Sequence, residues 1–237
     1  LPVSDDKISF EYKVKRFLEG SLLEEDEAHF FWNGAFSREQ KLALLGTEGA
    51  SVARLCKELQ PAREIGWLNR YMELDQTYYL QDNLLAKVDR MSMAHSLEVR
   101  PPLLDHRLVE FAGRLPEKLK IHGGSLKILL KEAMRGKLPD AILDRGKAGL
   151  DIPAHEWFRG PLLPLLRDTV TPETLSEFPI FQPGAIEKLI RDHESRRINA
   201  GYQLWGILTL FLWLKRWNIE VPPPGDRMAT GLALASA

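Results

Sequence analysis

The residues best suited to chemistry in this chain are basic. In "RGKAG" (145–149), Lys147 has Gly146 before it and Gly149 two positions on, with Arg145 close by. Glycine lets backbone N–H groups come close to a ligand. A lysine and an arginine beside such amides suit a phosphate or pyrophosphate. The pattern is not the GxxxxGK[ST] phosphate loop, so a solvated surface loop stands as the alternative reading. A second set, Lys127, Lys131 and Arg135, recurs every four residues in "GSLKILLKEAMRG" and would share one face of a helix, partly offset by Glu132. Its alternative is the ordinary solvated face opposite a core stripe. The third set lies in "DNLLAKVDRMSMAHSLEVRPPLLDH" (82–106), where Lys87 and Arg90 sit one helical turn apart. Neither has an acidic residue three or four positions away, so partners within the helix are excluded and must come from elsewhere in the fold or from a ligand. Asp82, Asp89, Glu98 and Arg100 complete that charged stretch.

Other chemistries find little support. Ser92, Ser96 and Ser125 lack a nucleophile elbow. The single cysteine, Cys56, reads as a small buried residue and excludes both an intrachain disulfide and a cysteine zinc cluster. The six histidines form no HExxH or His-x₃-His pattern, so a metal held by protein side chains is not expected. A formal net charge of −1 gives no global pull toward nucleic acid or an anionic membrane. The most apolar run, "LWGILTLFLWL" (204–214), falls short of the ~20 residues of a membrane span and reads as a buried helix. No signal peptide is visible, the lone cysteine fits a reducing compartment, and a cytoplasmic protein is expected. A first residue that is leucine rather than methionine suggests a piece of a longer polypeptide.

The elements that must position these residues are helices. Apolar periodicity predicts one over 7–19 and another before Trp32. Ser37 with Gln40 three residues on is a capping-box start, and Gly46 is a stop. A short helix is expected over 48–60, up to Pro61. Residues 63–98 form the longest helical pattern, dividing once near Gln76 or Asp82, with Leu80, Leu84, Val88 and Met91 on one face. The pair Pro101-Pro102 ends it. Asp105 then caps a helix that buries Leu108, Phe111 and Leu115. Residues 124–136 read as a helix capped by Ser125, closed by Gly136, with Leu126, Leu129, Leu130 and Ala133 as its apolar stripe. Further helices follow over "LPDAILD", "AHEWFRGPLLPLL", "AIEKLIRDHESRR" and "AGYQLWGILTLFLWLKRW". No strand alternation of useful length and no internal repeat is found, so the expectation is all-α. Residues 1–221 would form one compact domain, with 222–237 a disordered or artificial tail.

From "DNLLAKVDRMSMAHSLEVRPPLLDHRLVEFA" onward the chain strongly resembles the asparagine synthetase family, specifically its C-terminal ATP-dependent synthetase domain. The likeness continues through "LPEKLKI", "KILLKEAMRGKLPDAIL" and "RGKAGLDIPAHEWFRG", and more weakly over about residues 1–218 as a whole. It implies the helical C-terminal part of an adenine-nucleotide α-hydrolase-like domain. Glutamine-dependent members carry a glutaminase domain that releases ammonia. Their synthetase domain binds MgATP through an SGG-x-DS loop and adenylates the side-chain carboxylate of aspartate, after which ammonia displaces AMP. Related members close β-lactam rings or form isopeptide bonds. Neither an N-terminal catalytic cysteine nor an SGG-x-DS segment occurs in this chain. The implied partners are therefore the missing N-terminal synthetase and glutaminase segments, with small-molecule substrates, no nucleic acid, no membrane, and a possible homodimer. By resemblance, ATP and Mg²⁺ are the cofactors, held mainly by the absent part. Lys147 matches the family's loop lysine in an R-x-K-x-G setting, which implies a catalytic role on pyrophosphate. Arg145, Asp89, Arg90, Glu98, Arg100 and Lys131 are the implied substrate- or nucleotide-binding residues. Two departures, "RPPLLD" for R-x-P-F-L-D and "RGKAGL" for R-P-K-x-G-F, leave the carboxylate substrate open. A non-catalytic helical binding module is the rival reading.

Overall fold

A computed structural model describes residues 10–46, 66–146, 149 and 152–220. The helix expected over 48–60 and the tail from Pro222 lie outside these residues. Helices dominate, and the one sheet among the described residues has two short strands. The chain forms two compact units, Leu1–Cys56 with Leu150–Ala237, and Lys57–Gly149. Composition marks no linker between them.

The first unit begins with two helices, α1 (Phe10–Gly20) and α2 (Glu25–Asn33). Arg16 joins them: its guanidinium donates to the carbonyl oxygens of Phe31 and, at 2.7 Å, Gly34, and lies 3.8 Å from the centre of the Phe31 ring. Helix α3 (Arg38–Leu45) starts as its sequence requires. Gln40 N–H donates to Ser37 Oγ at 3.2 Å, and Ser37 N–H donates to Gln40 Oε1 at 2.9 Å. It stops at Gly46, whose φ of 66° is the left-handed cap that glycine adopts without a Cβ clash.

The core of this unit is built by the helices between residues 154 and 216. The last of them, Gly201–Arg216, buries Leu204, Ile207, Leu208, Phe211 and Leu214 along one side. Phe211 packs edge-on to Phe178 at 5.7 Å and tilted against Phe181 at 4.9 Å. Leu166, Ile186 and Phe158 close the cluster. The helix is apolar nearly all round, yet Leu210, Leu212 and Trp213 on its other side stay exposed, so the expectation of a wholly buried helix holds for one side only. Its first residue must be glycine, because a Cβ on Gly201 would sit 2.5 Å from the backbone nitrogen of His155. Beside that contact His193 is fully buried. Its Nε2–H donates to the His155 carbonyl at 3.0 Å and its Nδ1 accepts from Ala200 N–H at 3.1 Å, which fixes a neutral ring. Burial is the main cause, with the nearby Arg159 cation adding to it, of a pKa lowered to about 4.

The second unit opens with α4 (Trp67–Leu74), which passes directly into a π-helix over Asp75–Leu85 and then into α5 (Ala86–Met93). The long pattern thus divides near Gln76, but by a change of helical hydrogen bonding rather than a break. Eleven residues is long for a π-helix, a form seen mostly as single-turn bulges. Leu80 and Leu84 are half-buried, whereas Val88 and Met91 are exposed, so the predicted common face does not form. The start of α4 is capped from a distance: Glu117 Oε1 accepts from Leu68 N–H at 3.1 Å and Asn69 N–H at 3.3 Å, the second and third residues of the helix. Helix α6 (His106–Arg114) is capped by Asp105 as expected, its carboxylate accepting from Arg107 N–H at 3.0 Å. The predicted burial of Leu108 and Phe111 is overturned; both are exposed, and Leu115 is half-buried.

The helix expected over 124–136 is shorter. Ile121–His122 and Ser125–Leu126 form an antiparallel hairpin, and α7 spans only Ile128–Met134. Gly123 and Gly124 both have positive φ, 55° and 80°, which is the turn a two-residue hairpin needs. Ser125 is therefore a strand residue rather than a helix cap. Lys127, left-handed at φ 57°, precedes the helix, so the Lys127–Lys131–Arg135 stripe does not share one helical face. A short helix, α8 (Asp140–Leu143), matches "LPDAILD". Among the apolar residues described in this unit, only Leu68, Leu74 and Leu143 are buried.

Candidate functional site

The described candidates all belong to the second unit. Lys147, the expected catalytic residue, lies outside the described residues. Arg145, two positions before it, is exposed. Asp89 and Arg90 stand exposed on α5, with Lys87 one turn before Arg90. No carboxylate among the described residues pairs with Lys87, Arg90 or Arg145. This answers the question their spacing raises: the cations face solvent and keep their full capacity for an anion.

Glu98 and Arg100 behave differently. Arg100 Nη2 lies 2.6 Å from Glu98 Oε1, and its Nε donates to the same oxygen at 2.7 Å. The pair is exposed on both sides, so a ligand could exchange for either partner at little cost. Lys131 is half-buried on α7, its ammonium without an acidic partner among the described residues. Among those residues, Glu98–Arg100 is the one polar contact that brings two candidates together. No hydrogen bond or ion pair joins Asp89, Arg90, Lys131 or Arg145 to one another.

Arg135 is removed from any anion site by its surroundings. Its guanidinium reaches Glu132 at 3.1 Å, Asp140 at 3.2 Å and Asp144 at 3.3 Å. The hydrogen bonds it donates to Asp144 and then to Glu132 raise its pKa above the ordinary arginine value. One polar group escapes sequence reasoning. Glu117 caps α4 across 49 residues, a distance over which no local pattern reaches. Asp105 couples its helix cap to an ion pair with Arg107 at 2.9 Å, which holds its carboxyl below the usual aspartate range. No helix among the described residues is long and apolar enough to cross a membrane, and no group of three or more acidic, histidine or cysteine side chains among them could hold a metal ion.

Comparison with known proteins supplies the class. The chain is similar to glutamine-hydrolysing synthetases, which are amide-forming ligases. It is 27% identical over 146 residues to asparagine synthetase 1 of Bacillus subtilis, covering 62% of this chain and 23% of that protein. It is 30% identical over 155 residues to a putative asparagine synthetase of Mycobacterium bovis, covering 64% of this chain and 24% of the relative. Over a shorter stretch of 78 residues it is 47% identical to asparagine synthetase 3 of Bacillus subtilis, covering 31% of this chain and 13% of the relative. The family model for asparagine synthase matches residues 7–217, and the chain belongs to that family. It spans about a quarter of the length of the first two of these relatives. No solved structure matches it.

Proposed function

We propose that this chain supplies the helical part of an ATP-dependent, amide-forming synthetase. In that reaction an aspartate side-chain carboxylate attacks the α-phosphorus of ATP and pyrophosphate leaves. Ammonia, released from glutamine, then attacks the acyl carbon of the adenylate and AMP departs, giving asparagine. Both steps gather negative charge on departing phosphates. Fixed cations act on such charge most strongly where water is excluded.

The observation that carries the reading is the set of uncompensated cations, Lys87, Arg90 and Arg145, on a chain of this family. Lys147 continues that set in the sequence and is given the pyrophosphate-facing catalytic role. Asp89, Glu98, Arg100 and Lys131 are given substrate- or nucleotide-binding roles. ATP is a substrate here. Mg²⁺ would be held mainly by parts of the synthetase outside this chain.

The 237-residue chain carries the cations but no SGG-x-DS loop, so it is inactive by itself. The test is aspartate-dependent exchange of labelled pyrophosphate into ATP, run on this chain and on the complete gene product. Exchange is expected only from the longer protein, and Lys147→Ala should lower it ~10²-fold or more. Full exchange by the 237-residue chain, or normal turnover with Lys147→Ala, overturns the reading. The substitutions in "RPPLLD" and "RGKAGL" favour a second reading, in which the same adenylation serves a different carboxylate. Exchange that depends on another acid and ignores aspartate would select it.

A further inference from the structure

Arg145 is exposed and pairs with no carboxylate among the described residues, although two lie close to it in the chain. Asp144 is its immediate neighbour, and Asp140 begins α8 five positions before it. Arginines at such short range do pair elsewhere in this unit: Arg107 with Asp105, and Arg100 with Glu98. At Arg145 the nearby acids are already occupied.

The group that occupies them is Arg135. It directly follows α7, and Gly136, at φ 73°, turns the chain so that residue 135 makes a backbone bridge to Leu138 before α8 begins. The buried Leu143 anchors α8. Asp140 and Asp144 stand four apart, with Asp144 N–H donating to the Asp140 carbonyl at 2.8 Å, and so share one side of that turn. All three guanidinium nitrogens of Arg135 are engaged. Its Nε donates to Glu132 Oε1 at 3.1 Å and its Nη1 to Asp140 Oδ1 at 3.2 Å. Asp144 is gripped by both of its oxygens, Oδ1 from Nη2 at 3.3 Å and Oδ2 from Nη1 at 3.5 Å. A planar fork suits a carboxylate in this two-point manner. Three carboxylates around one guanidinium leave the cluster negative, so Arg135 withholds acceptor oxygens from Arg145 rather than negative charge.

We infer that Arg135 is a positioning residue: by holding both oxygens of Asp144 it leaves Arg145 unpaired and open to pyrophosphate. Arg135 touches no substrate in this scheme and acts through Asp144 on Arg145. The choice of pyrophosphate as the anion rests on the proposed synthetase role. The sequestration of Asp144 stands without it.

The test is pyrophosphate exchange by the complete gene product, followed against pyrophosphate concentration. Arg135→Gln releases Asp144 to Arg145. It should raise the half-saturating pyrophosphate concentration roughly threefold to fivefold, the range that an exposed ion pair allows, and leave the maximal rate nearly unchanged. Asp144→Asn alone should change neither, and Arg135→Gln with Asp144→Asn should return to the wild-type value. A plain brace between α7 and α8 would give the opposite pattern, since Asp144→Asn would break it as well and the double variant would stay impaired. With Arg145→Gln in place, Arg135→Gln should add no further rise. Failure of Asp144→Asn to rescue, a rise that persists without Arg145, or a loss confined to the maximal rate overturns the inference.

The sequestration is read separately on the 237-residue chain by NMR. Rotation of the Arg145 guanidinium about its Nε–Cζ bond should slow in Arg135→Gln and become free again when Asp144→Asn is added. Unchanged rotation overturns the inference and leaves the synthetase role in place. Absence of aspartate-dependent exchange from the wild-type gene product, with the rotation changing as expected, removes that role and keeps the sequestration.

Discussion

Two phenylalanines a hundred residues apart show how differently the two units are held. Phe211 is 0% exposed and wedged between two other rings; Phe111 is 56% exposed on an amphipathic helix. The first unit buries a continuous cluster of aromatic and aliphatic side chains, while the second buries three apolar residues among those described. Burial of apolar area is the main favourable term in folding. The first unit therefore carries the stability, and the second carries the described candidate cations Lys87, Arg90 and Arg145. In the second unit, local devices such as caps, ion pairs and a glycine turn substitute for a core.

The sharpest way to break this contrast is to truncate both rings. Phe211→Ala should cost ~3–5 kcal/mol in urea unfolding, and Phe111→Ala no more than about 0.5 kcal/mol in the 237-residue chain. Similar costs would mean that the units do not differ as described. Next in size is pH. His193 is neutral in the fold with its pKa lowered to about 4, against an ordinary value of 6.5. Between those two values an unfolded chain takes up a proton that the folded one refuses, so stability falls as pH drops through that window and levels off below it. Roughly 3 kcal/mol should be lost. His193→Gln should flatten the profile, and an unchanged slope would assign the acid sensitivity to other groups.

A smaller effect is expected in the second unit. Glu117→Ala removes the remote cap of α4 and should cost ~1 kcal/mol, seen as faster exchange of the Leu68 and Asn69 amides while the first unit is unaffected. Smallest of all is His155. Its Nε2 is buried and has no hydrogen-bond partner among the described residues. His155→Leu should leave the unfolding free energy unchanged or raise it slightly, by no more than ~1 kcal/mol. A large loss would mean that this nitrogen is satisfied in solution.

What could be read from the sequence follows the range of each interaction. Ser37 with Gln40, Gly46, and Asp105 were legible because a cap involves residues within one turn. The hairpin at "HGGS" went unread, because the leucines after it suggested a helix capped by Ser125, whereas Gly123 and Gly124 take positive φ and make a turn. Periodicity identified the apolar sides of α5, α6 and α7 and could not tell whether anything covers them. Hence Leu108, Phe111 and Leu129 were expected inside and are found outside. The Glu98–Arg100 pair was invisible to a search at helical spacing because its members are two residues apart and lie outside any helix. The cap from Glu117 depends on tertiary approach alone. Of the candidate site, the unbalanced state of Lys87 and Arg90 was legible, since it needs only the absence of acids one turn away.

The π-helix over Asp75–Leu85 bears on where those two cations point. A π-helix makes a turn in roughly 4.4 residues where an α-helix needs 3.6. Over eleven residues it falls behind by about half a revolution. It works as a phase shifter between α4, anchored by Leu68 and Leu74, and α5, which displays Lys87 and Arg90. A wheel drawn straight through the whole run places the cations on nearly the opposite side. The compass bearing of this charged face is thus written in the backbone hydrogen bonds upstream of it, in residues that carry none of the charge.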